Sequence, residues 1–112
     1  MSDIEKILTR IFEGIVDAYN TVANVDKLPY ATFQTSKSPV ANKDGVYRYD
    51  HNVEINIVCG NFDDCKIITS KIVKNLFALR NDDMNVTNLS ESGESDSDIY
   101  VKKIECLIIE LL

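Results

Sequence analysis

From Val46 to Cys59 the chain alternates in character. Tyr47, Tyr49, His51, Val53, Ile55, Ile57 and Cys59 occupy the odd positions, and Arg48, Asp50, Asn52, Glu54 and Asn56 the even ones. Successive side chains of a strand point to opposite faces, so this pattern predicts a long strand with one face covered and the other wet or facing a polar partner. The rest of the chain must supply that cover.

The N-terminal segment predicts a helix. Ser2 and Glu5 form a capping box, able to satisfy backbone N–H groups that a first turn leaves unpaired. Ile4, Ile7, Leu8, Ile11, Phe12, Ile15, Val16 and Tyr19 then recur at three- and four-residue spacing, which extends the helix to Asn20 and places Gly14 in its middle at a cost of about 1 kcal/mol. Pro29 lies beyond its end. Alternation from Tyr30 to Ser36 predicts a short strand, followed by the turn formers Ser36-Lys37-Ser38-Pro39 and a long hairpin tip that reverses at Asn42-Lys43-Asp44-Gly45. Gly60-Asn61 ends the long strand. Asp63 and Asp64 then open a second helix, with Ile68, Ile72, Val73, Leu76, Phe77 and Leu79 as its apolar stripe. A turn at Arg80-Asn81-Asp82-Asp83, a weaker strand from Met84 to Leu89, an acidic serine-rich loop from Ser90 to Asp98 and a last strand from Ile99 to Leu112 complete the order. This predicts a single α+β domain spanning residues 1–112, arranged α-β-β-α-β-β, with an antiparallel sheet of about four strands and both helices packed on one face.

The last strand carries the sharpest expectation. Ile104, Cys106 and Ile108 make one face apolar, and Leu107, Ile109 and Leu111 do the same for the other, with Glu110 the exception. Helices on one side of a sheet cannot cover both faces, so Leu107, Ile109 and Leu111 are candidate residues of an oligomer interface.

Charge and cysteines narrow the function. The 112 residues carry a formal net charge of −6, which opposes attraction to nucleic-acid phosphates or anionic lipid; neither specific nucleic-acid binding nor a membrane partner is expected. Cys59, Cys65 and Cys106 are odd in number and lack C-x-x-C spacing, so reduced thiols in a cytosolic compartment are the expectation. The acidic start of the chain differs from a basic secretory leader, and no apolar run reaches the ~20 residues of a bilayer span.

Candidate chemistry is sparse. His51, the one histidine, lies on the apolar side of the long strand and reads as a residue at the core's edge or in an interface; a small enzyme built on it would need a partner in a cleft. Cys65 sits in the first turn of the second helix beside Asp63 and Asp64, which oppose a thiolate, so it reads as structural. Glu91, Glu94, Asp96 and Asp98 lack the spacing of a calcium loop and read as a mobile acidic loop. Lys66, Lys71 and Lys74 read as the solvent side of a helix. No phosphate loop, dinucleotide fingerprint, nucleophile elbow or H-E-x-x-H motif occurs. No catalytic residue, cofactor or metal is expected, and the protein is not expected to be an enzyme.

The capped helix, Leu28-Pro29-Tyr30 opening a strand, the long hairpin, and Val53-Glu54-Ile55-Asn56-Ile57-Val58-Cys59-Gly60 running into a second helix together resemble the tail-terminator and tail-completion proteins of long-tailed phages. The resemblance covers roughly the first seventy per cent of the chain by pattern, and the Ser90 to Asp98 segment is outside it. It implies a homo-oligomeric ring, commonly a hexamer, that sits on the end of the tail tube and joins it to the head connector. The implied partners are other copies of the chain, the tail tube protein and the connector proteins; the implied location is the tail or neck of a virion assembled in the bacterial cytoplasm. On this reading the hairpin tip, Val40, Asn42, Lys43, Asp44 and Gly45, reaches a neighbour or the tube. The competing reading is an acidic inhibitor or immunity-type protein whose Glu91 to Asp98 segment docks on a basic nuclease or toxin.

Overall fold

The computed structural model describes residues 3–20, 27–80, 84–96 and 98–112. In chain order the elements are α1 (Asp3–Phe12), β1 (Asp17–Asn20), β2 (Tyr30–Asn42), β3 (Gly45–Cys59), α2 (Phe62–Phe77), β4 (Met84–Asp96) and β5 (Ile99–Leu111). The strands form one five-stranded sheet in the order β1-β2-β3-β5-β4. β1 runs parallel to β2, and the other pairings are antiparallel. The sheet is therefore mixed and the fold mostly β, which corrects the expectation of a four-stranded antiparallel α+β arrangement.

The extra strand comes from the segment that the apolar spacing assigns to the first helix. That helix ends at Phe12 because Gly14 adopts a positive φ of 73°, and the N–H groups of Ile15 and Val16 both donate to the Phe12 carbonyl. A left-handed glycine just past the last turn is a helix stop, so Gly14 ends the helix instead of weakening its middle. Freed from the helix, Asp17–Asn20 pairs with Tyr30–Phe33. Ser2 of the capping box and Asn81, Asp82 and Asp83 of the expected turn lie outside the described residues.

Two further differences lengthen the sheet. β2 continues through Pro39 to Asn42 instead of giving way to a long loop, and the reversal is a tight turn in which the Asp44 N–H donates to Asn42 Oδ1 at 2.8 Å. Gly45 supplies the positive φ, 115°, that this turn requires. β4 likewise runs on to Asp96. An irregularity between Thr87 and Ser90, with Asn88 at φ 55°, resets the register and carries the serine-rich segment along β5 as a strand. As an edge strand, β4 tolerates polar residues that a central strand could not bury.

Both helices pack on one face. Ile4, Leu8, Ile11 and Phe12 of α1 and Cys65, Ile68, Ile72 and Leu76 of α2 are buried with Ala31 and Phe33 of β2, the odd positions of β3 from Val53, and Ile104, Cys106 and Ile108 of β5. Phe12 stacks on Phe33 with ring centroids 5.6 Å apart, and Asn75 Nδ2 donates to the Ile11 carbonyl to tie the helices together. The Asn61 side chain caps α2 by accepting from the Asp64 N–H at 2.8 Å.

The helices are too short for the sheet. At ~1.5 Å per residue α2 spans roughly 24 Å, whereas β3 at ~3.3 Å per residue spans about twice that. The molecule is accordingly elongated, 53 × 24 × 24 Å, with the far part of the β2–β3 hairpin forming a protruding arm.

Candidate assembly surface

The face of the sheet away from the helices is open among the described residues. Register fixes its composition, because directly paired residues share a face. At its centre Gln34, Glu54, Glu105 and Ser90 line up across the strands, beside Thr32, Asn56, Lys103 and Ser92. Glu54 and Glu105 are direct neighbours of like charge, and Lys103 Nζ reconciles them at 2.6 and 3.2 Å respectively. Their hydrogen bonds, that of Glu54 foremost, raise the Lys103 ammonium pKa above its ordinary value.

Toward the arm the same face changes character. Leu107 and Ile109 are half-buried and Leu111 is 48% exposed. Their partners on β3 are Asn52, Asp50 and Arg48, and those of Leu107 and Ile109 on β4 are Thr87 and Asn85. The three expected interface residues thus form an apolar ridge one strand wide with a polar border. An apolar centre within a polar rim is the usual anatomy of a protein–protein contact.

The residues expected at the hairpin tip are at the tip. Asn42, Lys43, Asp44 and Gly45 form its exposed turn, with Val40 half-buried just behind. Val46 and Tyr47 follow as exposed apolar residues, which the composition of the turn did not single out. Lys37 Nζ lies 3.8 Å from the Tyr49 ring centroid, and Arg48 pairs with Asp50 at 3.1 Å.

Three of the four acidic residues lie on a strand and not on the expected loop. Glu91 and Glu94 stand exposed on β4, Asp96 ends that strand, and Asp98 lies in the turn to β5. Lys102 approaches Glu91 at 3.9 Å. Among the described residues, no three histidine, cysteine, aspartate or glutamate side chains come together as metal ligands would.

His51 is 2% exposed at the base of the arm, on the helix side of the sheet. Its Nε2 lies 3.0 Å from Glu110 Oε1, while Nδ1 is buried without a hydrogen-bond partner among the described residues. Spacing within β3 could not find Glu110, because the pairing of Tyr49 with Glu110 brings it there from β5. The one trace in the sequence is that Glu110 interrupts an otherwise apolar run. The cysteines are all free and buried. Burial raises the Cys59 thiol, with help from neighbouring Cys65, to about 12, and burial alone raises Cys106 to about 11. Such thiols stay neutral and unreactive.

Neither a family model nor a curated protein matches the sequence. Among solved structures, the chain is similar to a protein in the virion of a native gene transfer agent particle, with a TM-score of 0.64 and 10% sequence identity, covering 94% of this chain and 84% of that one. At this identity the likeness establishes a common fold.

Proposed function

We propose that this protein is a structural component of the virion of a long-tailed phage or prophage, forming a ring that terminates the tail tube and joins it to the head connector. The observation that carries this reading is the apolar ridge of half-buried Leu107 and Ile109 and exposed Leu111 on the face of β5 that no helix covers among the described residues. The likeness of the fold to a virion component of a gene transfer agent supports it. The mechanism is geometric and makes or breaks no covalent bond. Contacts between unlike surfaces of neighbouring copies close after a fixed rotation, and a closed ring matched to the tube offers no site for another tube layer. The partners are other copies of the chain, the tail tube protein and the connector.

Native mass spectrometry over a range of concentrations, with electron microscopy of tail tubes incubated with the protein, tests the reading. Closed rings, free or at tube ends, are expected. A strict monomer that leaves tube ends bare would overturn it. Ile109→Asp places a charge in the ridge and is expected to abolish ring formation while the circular dichroism spectrum stays unchanged; full assembly of this variant would remove the ridge from the interface.

A further inference from the structure

We infer that the cleft between α2 and the β4–β5 hairpin, on the helix side of the sheet, docks an acidic segment of a partner protein, with one carboxylate of that segment between Lys66 and Lys102. The site lies apart from the ridge of β5 and does not depend on the ring.

Register builds one wall of the cleft. Tyr100 and Lys102 pair with Cys59 and Ile57, which are buried under the helices, so all four share the helix side. Glu91 joins them there through its pairing with buried Ile104. A Cβ on Gly93 would lie 2.8 Å from Tyr100 Oη, so the missing side chain makes room for the phenol. The other wall is the first turns of α2. Phe62 meets the Tyr100 ring edge to face, with centroids 5.1 Å apart, and Lys66 and Ser70 follow at four-residue spacing along the same side of the helix. Thr69 also lines the cleft; it is 2% exposed, and its hydroxyl has no hydrogen-bond partner among the described residues.

Between these walls is a cavity of about 230 Å³. Sites that take a whole small molecule run from roughly 300 to 1,000 Å³, so this one suits a single side chain. Charge decides which kind. Two ammonium groups and one carboxylate line the cavity, in a chain whose net charge is −6. Lys102 Nζ stands 3.9 Å from Glu91, beyond hydrogen-bonding distance, and Lys66 forms no ion pair among the described residues. Both lysines therefore have donors to spare. A carboxylate brought between them gains charge-assisted hydrogen bonds, while its stem rests against Phe62. The surface also continues past the cavity. A shallower depression along α2 shares Lys66 and Ser70 with it and adds Asp63, Lys71 and Ile67, the last 55% exposed. An extended segment with an acidic residue in the cavity and an apolar one over Ile67 fills both, which a free ion does not.

Heteronuclear NMR titration tests this. The probe is a short capped peptide of alternating glutamate and leucine; its controls are the glutamine–leucine peptide and inorganic phosphate. The acidic peptide is expected to move the amide signals of Phe62, Lys66, Ser70 and Lys102, and the glutamine peptide to leave them in place. Lys66→Gln and Lys102→Gln are each expected to weaken binding by roughly tenfold, and Glu91→Gln to tighten it by about threefold, with unchanged circular dichroism spectra. Lys43→Gln changes the net charge as Lys66→Gln does but lies at the arm tip, and is expected to bind as the wild type does. Equal shifts from both peptides, no shift at those amides at roughly millimolar acidic peptide, or an equal loss in Lys43→Gln overturns the inference. Shifts from phosphate alone would make this a small-anion site and overturn the docking of a segment. Movement of the same signals on concentrating the protein alone would make a second copy the occupant and overturn the separate partner. The ring reading stands or falls on Ile109→Asp whichever of these results is obtained.

Discussion

Strand β5 carries two surfaces with opposite fates. Its even side, Ile104, Cys106 and Ile108, lies under the helices at 6% exposure or less. Its odd side, Lys103, Glu105, Leu107 and Ile109, shares the same backbone and faces away from them. Residue type alone does not separate the two, since leucine and isoleucine occur on both. What separates them is whether helix covers the sheet, and among the described residues both helices lie on one face and leave the other without such cover. The burial deficit on the open side is therefore a property of the architecture.

That contrast can be broken by measurement. Ile104→Ala removes a fully buried side chain and is expected to cost about 2–5 kcal/mol in urea unfolding of the unassembled protein. Leu107→Ala, three residues along on the other face, is expected to cost less than about 1 kcal/mol in the same experiment and to show its effect in assembly. Equal costs would mean that the open face is covered within one copy. An effect well below that of Ile104→Ala probes where the first helix ends. Gly14→Ala meets nothing within 4 Å but must adopt a φ of 73°, so a loss of about 1 kcal/mol is expected from backbone conformation alone. No loss would return Gly14 to the interior of a helix.

The gentlest effect belongs to the covered side. Cys59 and Cys106 hold their protons to about 12 and about 11 when folded, against 9.0 for the free thiol. Between those values the unfolded chain releases protons that the folded chain keeps, so stability is full below pH 9 and declines as pH rises through this window. The urea midpoint is expected to fall from pH 8 to pH 10, and to fall less in a Cys59→Ala, Cys106→Ala variant. An identical decline in that variant would assign it to other groups.

Much of the covered side was legible in the order of residues. The alternation of β3, the stripe and cap of α2 and the span of β5 follow from short-range periodicity, which backbone geometry reads directly. The structure departs from the periodicity where two periods compete. Ile15, Val16 and Tyr19 satisfy a helical spacing, and only the left-handed turn at Gly14 shows that Asp17–Asn20 belongs to a strand. Met84 to Asp96 looks like a strand and then a loop because the irregularity after Thr87 resets the alternation. On the candidate surface, Leu107, Ile109 and Leu111 stood out by being apolar on the wrong side. The His51 and Glu110 pair did not, because 59 residues separate them and register alone joins them.

Local spacing determined that this chain would make long amphipathic strands with a twice-apolar end, since side-chain direction repeats every two residues whatever the partner strand. Tertiary structure decided which strands became neighbours, which edge stayed free and how far the arm projects beyond the helices. Those outcomes depend on contacts between residues far apart in the chain, where pairing and packing compete over the whole molecule and no short window of sequence holds the answer.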